Sequence, residues 1–271
     1  MLLGHPDFSV VPSGKAVTDD ALFFHIQDNA MLLAQGNLPT WKQVKPLMCA
    51  DFQPFELARS GERSILSVMP HSGQTIAEND TLRYHEVNLF RSMSADIASI
   101  IASCLHLWRW YENHRYCGKC AFPLEPAPNE RALSCSVCGN LVFPTISPAI
   151  IVAITCGDRI LLARNVRYQH YALIAGYVEV GETLEHALRR EVMEEVGLEI
   201  HDIRYLGDQP WGISGSQMFA FHAQADDKAA LRIQKSELSD ARWFHRSEVP
   251  SLPHKVSIAY EMIERFRNKS L

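Results

Sequence analysis

The chain has 271 residues, 47% hydrophobic and 21% charged, which is enough for two folded units that each bury a core. Acidic residues outnumber Lys and Arg by 31 to 26, a formal net charge of −5, so general attraction to nucleic acid or membrane is excluded and any polyanion must be held by local cations. No basic stretch followed by an apolar core opens the chain, and the longest apolar run, Ile97 to Trp108, is interrupted and too short to span a bilayer. A cytoplasmic protein with no membrane partner is expected.

Residues 1–112 predict a mixed α/β domain. Ala21 to Ile26, a Gln27-Asp28-Asn29 turn and Met31 to Ala34 read as a hairpin, and Ser64 to Met69 as a further strand ending at Pro70. From Asp96 to His114 the apolar residues Ile97, Ile100, Ile101, Cys104, Leu105, Trp108 and Tyr111 keep helical spacing. Cys49, Cys104 and Cys156 have no base nearby in sequence and read as inert thiols.

Residues 113–143 carry Cys117-Gly-Lys-Cys120 and, after fourteen intervening residues, Cys135-Ser-Val-Cys138. Two such knuckles can close a tetrahedral four-sulfur site with no open position, which predicts a structural zinc rather than a redox pair. Arg115, Lys119 and Arg131 are offset by Glu112, Glu125 and Glu130, so no basic stripe marks this ribbon as a nucleic-acid binder.

Residues 144–271 predict a sheet-based domain. Ala149 to Thr155, a Gly157-Asp158 turn, Arg159 to Ala163, Tyr171 to Ala175, Ile203 to Leu206, Met218 to His222 and Ala241 to Phe244 read as strands, with a closing helix from Lys255 to Arg267. Between the third and fourth strands, Leu184, Ala187, Leu188, Val192 and Val196 form one apolar helix face, with Thr183 as N-cap and Gly197 as a left-handed C-cap. Glu191 and Glu195 fall in that apolar sector and Glu194 at its edge. Carboxylates crowded there repel one another unless a cation stands opposite, and oxygen donors without His or Cys favour magnesium or manganese. An ordinary acidic helix laced with Glu–Arg pairs would need no ion.

The spacing Gly176, Glu182, Arg190-Glu191-Val192, Glu194-Glu195, Gly197-Leu198 fits the Nudix box at every defined position, so this part of the chain resembles a Nudix hydrolase. With the zinc ribbon before it and Gln209-Pro-Trp211 after it, the chain from about Arg91 onward resembles the NADH pyrophosphatase family of Nudix hydrolases. That resemblance implies an α+β protein, a Nudix α/β/α sandwich preceded by the ribbon and the N-terminal domain. It also implies a homodimer that uses divalent metal to split NADH or NAD into a nicotinamide mononucleotide and AMP, and that can also remove NAD caps from RNA.

Carried over position by position, the resemblance implies Glu191, Glu194, Glu195 and the carbonyl of Ala175 as magnesium or manganese ligands, with Arg190 orienting a carboxylate and Glu237 as a further ligand or base. It implies Phe143 and Tyr177 stacking on the nicotinamide ring, and Arg91, Glu130, Gln209, Pro210, Trp211, Ser216, Met218 and Ala259 as substrate contacts. The family segment S-Q-P-W-P-F-P-x-S reads Asp208-Gln-Pro-Trp-Gly-Ile-Ser-Gly-Ser216 here, which loses the stiff Pro-Phe-Pro and one aromatic surface. Two rival readings follow: a Nudix enzyme for ADP-ribose, FAD or a nucleotide sugar, and a ribbon-bearing RNA-binding protein whose Nudix fold is catalytically idle.

Overall fold

The computed structural model describes residues 7–9, 16–48, 54–70, 72–73, 75–167, 170–226, 230–250 and 255–271; Cys49 lies outside them. The chain divides into two compact units, one of Ile146–Trp211 with Gly215–Leu271 and one of His5–Thr145 with Gly212–Ser214. The ribbon and the N-terminal α/β residues both fall in the second of these units.

In that N-terminal unit, β1 (Phe8–Ser9), β2 (Leu22–Phe23), β5 (Phe55–Ser60) and β6 (Arg63–Ser67) form one sheet, in the order β1-β5-β6-β2. A second sheet joins β3 (Ile26–Gln27), β4 (Ala30–Ala34) and β7 (Leu82–Glu86), and short α1 (Trp41–Val44) follows β4 in the chain. The predicted hairpin is the β3–β4 pair, with a tighter turn than expected: Asp28 and Asn29 both take positive φ, 49° and 59°, and Gln27 is already paired. The long helix α2 (Ala95–Asn113) buries Ile101, Cys104 and Leu105 at 1% exposure or less, and burial pushes the Cys104 thiol up, as suits an inert side chain. Gly212 belongs here too: a Cβ at this position would overlap the carbonyl oxygen of Ala102, while Arg109 donates to the carbonyl of Ile213 at 2.5 Å. No proline could replace Gly212 in that approach, which gives a packing reason for the missing Pro-Phe-Pro.

The ribbon's strands are two residues each, β8 (Glu125–Pro126), β9 (Leu133–Ser134) and β10 (Leu141–Val142). The other unit holds β11 (Ser147–Cys156), β12 (Arg159–Asn165), β13 (Ile174–Tyr177), α3 (Leu184–Val196), β14 (His201–Trp211), β15 (Ser216–Gln224), β16 (Leu238–His245) and α4 (Ile258–Arg267). Its six-stranded sheet runs β14-β15-β11-β12-β16, with β13 also paired to β11; β11 is parallel to β15 and antiparallel to β12 and β13.

Because successive strand residues face opposite sides, β11 feeds two cores. Ile150, Val152 and Ile154 meet Ala187, Leu188, Val192 and Val196 of α3, whereas Ile151 and Ala153 meet Ile258, Met262, Ile263 and Phe266 of α4. Helix boundaries follow their caps. Thr183 accepts from the His186 amide and Gly197 closes α3 at φ 66°, both as predicted; α4 starts at Ile258 rather than Lys255 because Ser257 accepts from the Tyr260 amide.

Candidate active site

The strand–helix junction sets the acidic cluster. Gly176 lies opposite Ile150 in the sheet, and a Cβ on it would overlap the Glu191 carboxyl carbon, so the glycine lets this carboxylate lie flat on the strand. Gly176→Ala is expected to displace Glu191 and cut turnover about a hundredfold while the melting curve stays cooperative, since misplacing one catalytic group by about an ångström has that cost; unchanged turnover would remove Glu191 from the machinery.

Burial of the glutamates follows the predicted helical wheel. Glu195 is 8% exposed, the side chain of Glu191 is 14% exposed, and that of Glu194 is 52% exposed. Desolvation, reinforced by the charges of Glu191, Glu237 and Glu194, pushes the Glu195 carboxyl up to about 7. Glu191 is also raised, again chiefly by desolvation and against the pull of Arg190.

Glu237 reaches this cluster from another part of the chain. The segment before β16 docks on the end of α3, where the Arg232 amide donates to the Val196 carbonyl at 2.8 Å and the Gln234 amide to the Glu195 carbonyl at 2.9 Å. Glu237 itself is exposed, yet its charge is felt by both Glu191 and Glu195.

Arg190 ties the cluster together. Its Nε and Nη2 hold Glu182 at 2.7 and 3.0 Å, its Nη1 holds Glu191 at 2.9 Å and Glu194 at 3.1 Å, and Nη2 also donates to the Tyr177 carbonyl at 3.0 Å. Glu182 is depressed to about 2, first by Arg190 and then by the Glu179 amide. Its role as the anchor of Arg190 is absent from the sequence-derived site set, although its place in the box could have signalled it. The carboxylates are oxygen groups of the kind a hard divalent cation takes, and Arg190 already holds one oxygen each of Glu191 and Glu194.

The zinc site is built by backbone. In each knuckle the residue after the second cysteine is left-handed, Ala121 at φ 61° and Gly139 at φ 68°, which lets the Ala121 and Gly139 amides return to the Cys117 and Cys135 carbonyls. The sulfurs of Cys117 and Cys138 lie 3.6 Å apart, those of Cys120 and Cys135 3.4 Å, and those of Cys120 and Cys138 3.5 Å. All four fall within 4.8 Å of one another, close to the edge of about 3.8 Å in a tetrahedral zinc–thiolate centre. The Lys119 amide directed at Cys117 lowers that thiol, whereas Cys120 is raised, against the pull of the Phe122 amide, by the sulfurs of Cys135 and Cys138, so the thiols share protons that a metal would displace.

The residues implied to contact substrate fall in both units. Tyr177, Ala149, Met218 and Gln209 stand in one register row across β13, β11, β15 and β14. Tyr177 is 52% exposed and its hydroxyl receives the Ser216 hydroxyl at 3.4 Å; Met218 and Ala259 pack with the α4 core, Trp211 is half-buried and Pro210 exposed. Gln209 is 1% exposed and spends its amide internally, accepting from the Ile258 amide at 2.6 Å and donating to the Val256 carbonyl at 3.1 Å. It holds the start of α4 rather than offering an atom to a ligand. Gln209→Leu is expected to cost about 1–3 kcal/mol in urea unfolding through the two orphaned backbone groups; a loss of substrate affinity with unchanged stability would reverse that reading. Arg91, Glu130 and Phe143 belong to the N-terminal unit, where Phe143 is 53% exposed, Glu130 exposed and Arg91 half-buried.

Comparison with known proteins accords with this geometry. The NUDIX domain model matches residues 145–266, and the model described as the NADH pyrophosphatase zinc ribbon domain matches residues 112–143. The "NAD-capped RNA hydrolase NudC" of Salmonella paratyphi C is 39% identical over 187 residues, 67% of this chain and 72% of that one. This chain belongs to the Nudix hydrolases, in the branch with an NADH pyrophosphatase zinc ribbon.

The protein of the same name from Stutzerimonas stutzeri is 38% identical over 183 residues, 67% of this chain and 66% of that one, slightly under two thirds of the relative's length. A crystal structure of a NUDIX hydrolase from Nitrosomonas europaea covers 57% of this Nudix hydrolase and 91% of its own chain at a TM-score of 0.50 and 17% identity, which shows the shared fold. Among the described residues no helix is long and apolar enough to cross a membrane.

Proposed function

We propose that this Nudix hydrolase splits the pyrophosphate of NAD or NADH into a nicotinamide mononucleotide and AMP, and acts on the same linkage where it caps RNA. The observation that carries the reading is Glu195: a carboxyl 8% exposed and raised to about 7, in the field of Glu191, Glu194 and Glu237. The same branch assignment and the naming of the NudC relatives support the choice of dinucleotide.

Glu191, Glu194, Glu195, Glu237 and the Ala175 carbonyl are the groups that would hold magnesium or manganese, which offsets the pyrophosphate's charge and acidifies water. Arg190, fixed by Glu182, keeps Glu191 and Glu194 in place. Glu195 or Glu237 takes the proton as water adds to phosphorus; the P–O bond to the bridging oxygen breaks, and its electrons leave with the second phosphate. Cys117, Cys120, Cys135 and Cys138 hold zinc for structure. A cytoplasmic homodimer completes the proposal.

The Gly212-Ile213-Ser214 sequence favours a second reading, a preference for ADP-ribose, FAD or a nucleotide sugar. Hydrolysis of NADH, NAD, ADP-ribose, FAD and NAD-capped RNA side by side with magnesium or manganese separates the two. Release of AMP with nicotinamide mononucleotide at the highest kcat/KM supports the first; metal-dependent turnover confined to another substrate replaces it. Tight binding of plain RNA without hydrolysis would instead establish an idle fold.

A further inference from the structure

We propose that Arg164 and Arg242, arranged about Tyr171, with the exposed Arg167 three residues along the chain from Arg164, form the surface that grips the RNA strand of a capped substrate beyond its dinucleotide end; this rests on the reading above. In a chain of net charge −5, cations free to meet a polyanion are informative. Many arginines of this unit are committed: Arg189 to Glu185, Arg190 to three glutamates, Arg246 to Asp158, Arg265 to Glu261 and Arg267 to Glu264. Arg164 instead donates to the neutral hydroxyl of Ser239 at 3.0 Å, and the Arg167 side chain is exposed.

These groups are also oriented for a single strand. The guanidinium carbons of Arg164 and Arg242 stand 5.5 and 5.0 Å from the centre of the Tyr171 ring, and Arg242 is also 5.0 Å from that of Phe244. The Tyr171 hydroxyl donates to Asp240, which pairs with Arg242 at 3.5 Å and also feels the charge of Arg164, so the two guanidiniums share this carboxylate and keep a net positive charge between them. The Arg242 side chain is nonetheless 59% exposed. Guanidinium planes held by aromatic rings offer flat surfaces for bases and forked donors for phosphates, at little further ordering cost.

The surface lies near the end of the strand that touches Glu237. The Val166 amide donates to the Glu237 carbonyl at 2.8 Å, and Asn165 pairs with Leu238. Arg164 is therefore two residues, about 7 Å of strand, from the point where the chain touches Glu237. Tyr171 and Phe244 pack on the α4 side of the sheet and the carboxylate helix on the other, so a strand leaving the cleaved pyrophosphate rounds the end of β12 to meet these cations.

The test compares native protein with the R164A/R242A double variant on free NAD and on an NAD-capped single strand of about 16 nucleotides, long enough to cover such a site. The surface predicts unchanged kcat/KM for NAD, roughly a tenfold fall for capped RNA, and a shallower salt dependence for the RNA reaction. An equal effect on both substrates, or on neither, overturns it. Fluorescence anisotropy with uncapped RNA of the same sequence judges the surface even if the native protein hydrolyses neither substrate: that outcome sinks the dinucleotide reading, whereas equal RNA affinity in native and variant sinks the surface. R164K/R242K keeps the charge but loses the planar fork, and an intermediate RNA defect is expected from it. It replaces the alanine variant should that one not melt cooperatively.

Discussion

Glu195→Gln is expected to make the metal-free protein more stable and the metal-loaded enzyme nearly inactive. Folding lifts this carboxyl from 4.5 to about 7 because it is desolvated and faces other carboxylates. Between those values the folded protein holds a proton that the unfolded chain has released. Without divalent ions, stability therefore falls as pH rises across that interval and levels off above it. The glutamine variant lacks this slope and should gain on the order of 2–3 kcal/mol over native protein above pH 7, read from urea unfolding in chelator. Turnover of NAD, with magnesium or manganese added, is expected to drop about a thousandfold. A variant that is both less stable and fully active would mean that Glu195 is a structural group and that the acidic cluster has another purpose.

The second large effect belongs to the ribbon. Cys135→Ser is expected to reduce bound zinc from about one equivalent per chain to a trace, because a tetrahedral site that loses one thiolate loses most of its hold. Strands of two residues bury too little to fold alone. The metal contributes on the order of 10 kcal/mol to such modules, so residues 113–143 should become the first site of proteolytic cutting, both in the variant and in native protein treated with a strong chelator. Full zinc occupancy in the variant, or an uncut ribbon in the chelated protein, would show that the hairpins stand without the ion.

Much of the site was legible because its signals are local. Thr183, Gly197 and the apolar stripe from Leu184 to Val196 place α3 within a residue of its observed ends, and the same periodicity puts Glu195 inside and Glu194 at the edge. The knuckle cysteines were legible for the same reason. Groups whose role depends on distant pairing were not. Gln209 looks like a motif residue in sequence, and only the packing of β14 against the start of α4 shows that its amide is already consumed. Glu182 gained meaning once Arg190 was seen to fold back on it across eight positions. Ala121 gave no hint that it copies the left-handed turn which Gly139 advertises. Gly212 read as the loss of a stiff proline, whereas its lack of a side chain is demanded by the Ala102 carbonyl.

The parallel pairing of β11 with β15 has a consequence for synthesis on the ribosome. Ser147 to Thr155 can pair early with β12 and β13 but cannot meet their parallel partners until Ser216 to Gln224 have emerged, and Glu237 is made later still. The N-terminal unit, apart from Gly212–Ser214, is translated before any of this and can settle while the sheet waits for its last strands. Nascent chains should accordingly lack a complete carboxylate cluster until Glu237 has emerged.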